Sequence, residues 1–166
     1  MKKIITLLAI AGLFSLQSCT VTDNGPVVDN TISQVFEVTT SFNSSNNYSK
    51  LITFNYPIYS SDVVLVYRLS GTTPQGSDVW KLLPETHYFS DGTLDFGYDQ
   101  DYTTRDVNVF MIGNDLQSVS TDFRLNQVLR VVIVPGGYAT SINKNSFEAV
   151  MSTLKLNETQ IQKIQM

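Results

Sequence analysis

Ser61-Asp62-Val63-Val64-Leu65-Val66-Tyr67-Arg68-Leu69-Ser70-Gly71 decides how this chain folds. Val63, Leu65, Tyr67 and Leu69 alternate with Val64, Val66 and Arg68, so both faces are apolar at the start and one turns polar at the end. A period of two in β-branched residues, opened by Ser-Asp and closed by Ser-Gly-Thr-Thr-Pro, predicts a central strand. Burying the four side chains of the first face is worth about 1.5–3 kcal/mol each, before chain ordering is subtracted. The stretch organises a core and carries no chemistry of its own.

Its counterpart is Val128-Leu129-Arg130-Val131-Val132-Ile133-Val134-Pro135, apolar on both faces apart from Arg130 and ended by Gly136-Gly137. Weaker alternating segments surround these two. Phe36, Val38, Thr40 and Phe42 share one face of a first strand, and Asn43-Ser44-Ser45-Asn46-Asn47 is a turn. Ile52, Phe54, Tyr56 and Ile58 are the inward positions expected of a second strand, which Pro57 confines to an edge or an end. Trp80 and Leu82 alternate with Val79, Lys81 and Leu83. Ser90-Asp91-Gly92 separates His87-Tyr88-Phe89 from a segment alternating through Leu94, Phe96 and Tyr98, a hairpin signal. Asp99-Gln100-Asp101 is expected to turn the chain, and Asp106 to Ile112 to form another strand. Asp115 to Asn126 fits either a loop or a short strand around Phe123 and Leu125.

Phe147, Val150, Met151 and Leu154 fall at i, i+3, i+4 and i+7, the single apolar face of a short helix. Asn145 is the expected N-cap, with Glu148 three residues on. Glu158 to Met166 reads as a weak strand or a frayed tail. Roughly seven to nine short strands, about ten residues apart, predict an antiparallel β-sandwich, Ig-like or jelly-roll-like, with one short C-terminal helix. The domain is expected to span 34–166.

The N-terminus has a different texture. Met1-Lys2-Lys3 is a basic start, and Ile4 to Leu16 is an apolar run of 13 residues. A bilayer-spanning helix needs about 20. Leu16-Gln17-Ser18-Cys19 follows. Leu16, Ser18 and Cys19 resemble the lipobox of bacterial lipoproteins, in which cleavage precedes an obligate cysteine that is then lipidated; Gln17 departs from the small residue usual there. The resemblance implies a signal peptide over 1–18, cleavage between Ser18 and Cys19, and attachment to a membrane through lipid on Cys19. Two or three acyl chains, at about 0.8 kcal/mol per buried methylene, hold a protein stably.

Residues 19–33 read as a flexible tether: Thr20 to Ser33 is polar, contains Asn-Gly-Pro, lacks any period, and reaches about 45 Å when extended. Loss of Lys2 and Lys3 takes the basic residues from 11 to 9 against 15 acids, a formal charge of −6. An acidic, mixed surface excludes nucleic acid as a partner, because phosphate binding needs a basic stripe. Lipoproteins exported to the cell surface in some bacterial groups carry a run of acids or lysine after the cysteine. Asp23 stands alone there, so the periplasmic side of the outer membrane is expected rather than the surface.

Ingredients for catalysis are scarce. Cys19 is the only cysteine and His87 the only histidine, which excludes an internal disulfide, a CxxC site and most metal sites. There is no GxSxG, GxGxxG or P-loop motif. Asp91, Asp95, Asp99, Asp101 and Asp106 cluster in sequence, but alternation scatters strand side chains over two faces, so they read as solvated turn residues. No catalytic residue, metal or cofactor is therefore expected. Trp80, Tyr88 and Tyr98 are the candidates for ligand binding, as a face on which sugars stack.

Val35-Phe36-Glu37-Val38, the central strand, Asp78-Val79-Trp80, Leu83-Pro84-Glu85-Thr86 and Val131-Val132-Ile133-Val134-Pro135, read in order after the lipobox, resemble a group of small flavobacterial-type predicted lipoproteins. The likeness runs from about Cys19 to Leu156 and is structural in content. Members often carry Gly-Pro-x collagen-like repeats after the cysteine; only Gly25-Pro26 stands here. Some members bear the name dihydrolipoamide dehydrogenase, an activity that needs a flavin-binding GxGxxG and a redox cysteine pair, and this chain has neither. The expectation is a lipid-anchored protein of the bacterial envelope with a non-catalytic structural or interaction role, its partner an envelope protein or a glycan. The alternative is a carbohydrate- or other ligand-binding module using exposed aromatics.

Overall fold

A computed structural model describes residues 33–164. The expected leader, its Ser18–Cys19 cleavage point and the tether as far as Ile32 lie outside the described residues. Along the chain come β1 (Gln34–Thr40), β2 (Ser49–Thr53), β3 (Val63–Thr72), β4 (Asp78–Leu82), β5 (Glu85–Tyr88), β6 (Leu94–Tyr102) and β7 (Asp106–Gly113). A short helix α1 (Thr121–Arg124), β8 (Gln127–Val134), α2 (Phe147–Thr153) and β9 (Gln162–Ile164) complete it. The strands form two sheets, ordered β4-β3-β8-β1-β9 and β2-β7-β6-β5. All neighbours are antiparallel except β1 and β9. The molecule is a β-sandwich with a short C-terminal helix.

The two-faced strands of the sequence are explained by a third layer. Val64 and Val66 of β3, with Leu129, Val131 and Ile133 of β8, meet Ile52, Phe96, Tyr98, Val107 and Val109 of the second sheet in the main core. The opposite faces carry Leu65, Tyr67, Val132 and Val134, which α2 covers with Phe147, Val150 and Met151. Central strands covered on both sides have to be apolar on both. Gly97 of β6 sits where a Cβ would come within 2.8 Å of the Glu85 carbonyl, so β5 packs closely only because no side chain stands there.

Four local expectations change. Asp99-Gln100-Asp101 does not turn: β6 runs through it, and the chain reverses after Tyr102, where Thr103 N–H donates to the Asp106 carbonyl at 2.9 Å. Asp99 and Asp101 alternate with the buried Tyr98 on the outward face of the sheet, which tolerates charge inside a strand. The second strand stops at Thr53. Ile52, Phe54 and Ile58 are buried, whereas Tyr56 is 56% exposed because the chain has left the ladder before Pro57. The open segment around Phe123 becomes α1, capped by Ser120. Ser146, not Asn145, caps α2, accepting from Ala149 N–H at 3.2 Å, while Asn145 N–H is taken by Asn143 Oδ1.

Candidate functional site

Two buried arginines interrupt the two-faced strands, one on each side of the same sheet. Arg68 ends the β3 face that looks into the main core. Its Nε and Nη2 donate to the Glu85 carboxylate at 2.9 Å each, and Nη1 donates to Gln127 Oε1 at 3.0 Å. Gln127 Nε2 in turn donates to the carbonyls of Asp122 and Leu125. The guanidinium lies 4.8 Å from the ring centre of Tyr98. Burial by itself would raise the Glu85 carboxyl, but Arg68, with Lys81 and His87 beside it, overcomes this and holds it below the ordinary range. His87 stacks on Phe96 at 4.3 Å, and its Nε2 lies 3.0 Å from Glu85 Oε1 without making a hydrogen bond. The cluster latches β3 of one sheet to β5 of the other.

Arg130 of β8 faces the opposite way, towards α2. Its Nε donates to Glu37 of β1 at 3.0 Å, and its two terminal nitrogens grip Glu158 at 2.9 and 2.8 Å. The guanidinium lies 4.2 Å over Trp80 and 4.9 Å over Phe147, whose rings are 5.4 Å apart. Burial raises the Glu37 carboxyl, and Arg130 with Lys163 reverses this to a net lowering. A groove of about 500 Å³ opens beside this stack, floored by Trp80, Phe147, Met151 and Leu156 and flanked by Asp78, Glu148 and Glu158. A smaller cavity of about 240 Å³ adjoins it and shares Asp78, Trp80, Phe147 and Glu148. With each guanidinium nitrogen of Arg130 donating to a carboxylate, the groove offers an apolar floor and negative rims.

The aromatics singled out in the sequence do not assemble. Trp80 lines the groove, half-buried. Tyr88 is 62% exposed at the end of β5, in the other sheet. Tyr98 is fully buried in the main core, its hydroxyl donating to the Phe123 carbonyl and its pKa pushed up to about 12 by burial, with Arg68 lowering and Glu85 raising it. A flat platform of the three is thus excluded, because alternation sends Tyr98 inward and Tyr88 outward. The residues that sequence reasoning missed are Arg130, Phe147, Asp78 and Glu148. Arg130 alone left a signal, as the single charge in a run otherwise apolar on both faces. Tyr67, adjacent to this layer, donates its hydroxyl to the Lys144 carbonyl at 2.6 Å and is raised by burial.

Among the described residues no group of three metal-ligating side chains converges, and no helix is long and apolar enough to cross a membrane. No protein-family model, curated protein or solved structure matches this chain.

Proposed function

We propose that this chain is a lipid-anchored protein of the bacterial cell envelope, held at the outer membrane on its periplasmic side and acting through non-covalent interaction rather than catalysis. The observation that carries the reading is the tetrapeptide Leu16-Gln17-Ser18-Cys19, with the chain's only cysteine at its end, directly behind a basic start and an apolar run. Supporting it, the first strand begins at Gln34, so the attachment point precedes the folded body. The acidic body adds no electrostatic attraction to anionic lipid, so attachment rests on the acyl chains. The buried Arg68, Glu85 and Arg130 and the half-buried Glu37 are committed to joining strands, and the same commitment favours a binding role over a reactive one.

The test is metabolic labelling with a palmitate analogue, comparing wild type with Cys19→Ala, followed by membrane fractionation. Wild type should be labelled and sediment with membranes, and the variant should lose the label and appear in the soluble fraction. A wild-type chain that carries no label overturns the assignment.

A further inference from the structure

The geometry points to a docking site for a basic peptide segment in the groove between β4 and α2, where a lysine or arginine beside an apolar residue is recognised. Three observations lead there. Trp80, Phe147, Met151 and Leu156 give a floor along which the aliphatic stem of a long cationic side chain can lie. The carboxylates of Asp78 and Glu148, both exposed and shared by the two adjoining cavities, form no hydrogen bond or ion pair with other described residues. Among the described residues Arg130 is the only basic side chain lining either cavity, and its Nε and both terminal nitrogens already donate to Glu37 and Glu158. The negative charge at the rim is therefore uncompensated, and the charge of the one arginine is already matched by the carboxylates of Glu37 and Glu158.

The same charge argument selects among occupants. The chain's own segment Thr20–Ser33 carries Asp23 and Asp29 and no basic residue, so it is repelled. A second copy of a chain with 15 acids is disfavoured too. A stacked sugar has at most one face of the Trp80 ring to use, because the Arg130 guanidinium covers the other at 4.2 Å, and it leaves the rim carboxylates without a counter-charge. What remains is a partner of opposite charge. The site does not depend on the lipid anchor, so a Cys19→Ala chain binds as well as wild type.

Trp80 is the only tryptophan, so its emission reports on the groove directly. The full-length chain in non-ionic detergent is titrated with Ac-Leu-Lys-Leu-Lys-NH2, with Ac-Leu-Glu-Leu-Glu-NH2 and with chitotetraose, none of which fluoresces. The lysine peptide should give a saturable change in emission that weakens as salt is raised, and the glutamate peptide none. Asp78→Asn with Glu148→Gln should weaken binding about fivefold, as expected for two exposed charge pairs. Asp78→Asn alone, which leaves α2 untouched, should weaken it about twofold. The inference is overturned by no saturable response to the lysine peptide up to about 5 mM. It is equally overturned by equal responses to both peptides, by a response to chitotetraose alone, or by unchanged affinity in the double variant.

Discussion

Arg68 and Arg130 have the same residue type, nearly the same burial and opposite surroundings, and their energetics should differ accordingly. Arg68 and Glu85 are only 5% and 6% exposed, so removing one partner leaves a charge out of water with no compensation. Arg68→Ala should cost about 3–5 kcal/mol, read as the shift in a urea unfolding curve, whereas replacing both partners by apolar residues of similar volume should recover most of that loss. Glu158, by contrast, has a side chain 69% exposed. Glu158→Ala should therefore cost under about 1 kcal/mol, despite its two-pronged grip on Arg130. At this scale the sequence marks that the arginines are anomalous, since each is a lone charge in an apolar run. It does not show who pairs with them: Glu85, Glu37 and Glu158 are ordinary surface types until the fold brings them in.

Strands and helices were the most legible level, because their signals are local. The alternation in Val63–Leu69 and Val128–Val134, the hairpin at Ser90-Asp91-Gly92 and the helical spacing of Phe147, Val150 and Met151 all correspond to observed elements. Boundaries failed where a neighbouring strand decides them. Asp99 and Asp101 look like a turn in isolation, yet β7 pairs with that stretch and extends β6 through it. Three substitutions probe this level. Gly97→Ala places a methyl against the Glu85 carbonyl, backbone that cannot swing aside, and should destabilise by about 1–3 kcal/mol. Ser146→Ala removes the cap of α2 and should cost about 1 kcal/mol, while Asn145→Ala should cost less. Thermal melts of the three variants order the effects.

For the whole molecule, Glu37 and Glu85 link stability to pH. Burial raises each carboxyl, but their arginine partners bring both below the ordinary glutamate value. Folded, each takes up a proton less readily than unfolded, so its contribution is complete above about pH 4.3 and drains away as pH falls through the lowered folded value. Melting temperature should therefore fall steeply below that point, and Glu85→Gln should flatten the slope while lowering the plateau at neutral pH. Glu37 and Arg130 stand 93 residues apart, and Glu85 and Arg68, 17 apart, belong to different sheets, so no local period pairs either couple. The chain's residues alone determined that strands dominate, that two of them are covered on both faces, that one short helix comes late, and that a single cysteine follows an apolar run. Those features follow from backbone period and local composition, which need no partner. Only the tertiary structure decided that α2 is the second cover, that Tyr98 is core while Trp80 lines a groove, and that the carboxylates of Asp78 and Glu148 flank it. Each of these depends on contacts between residues distant in sequence, and such contacts leave no period to read.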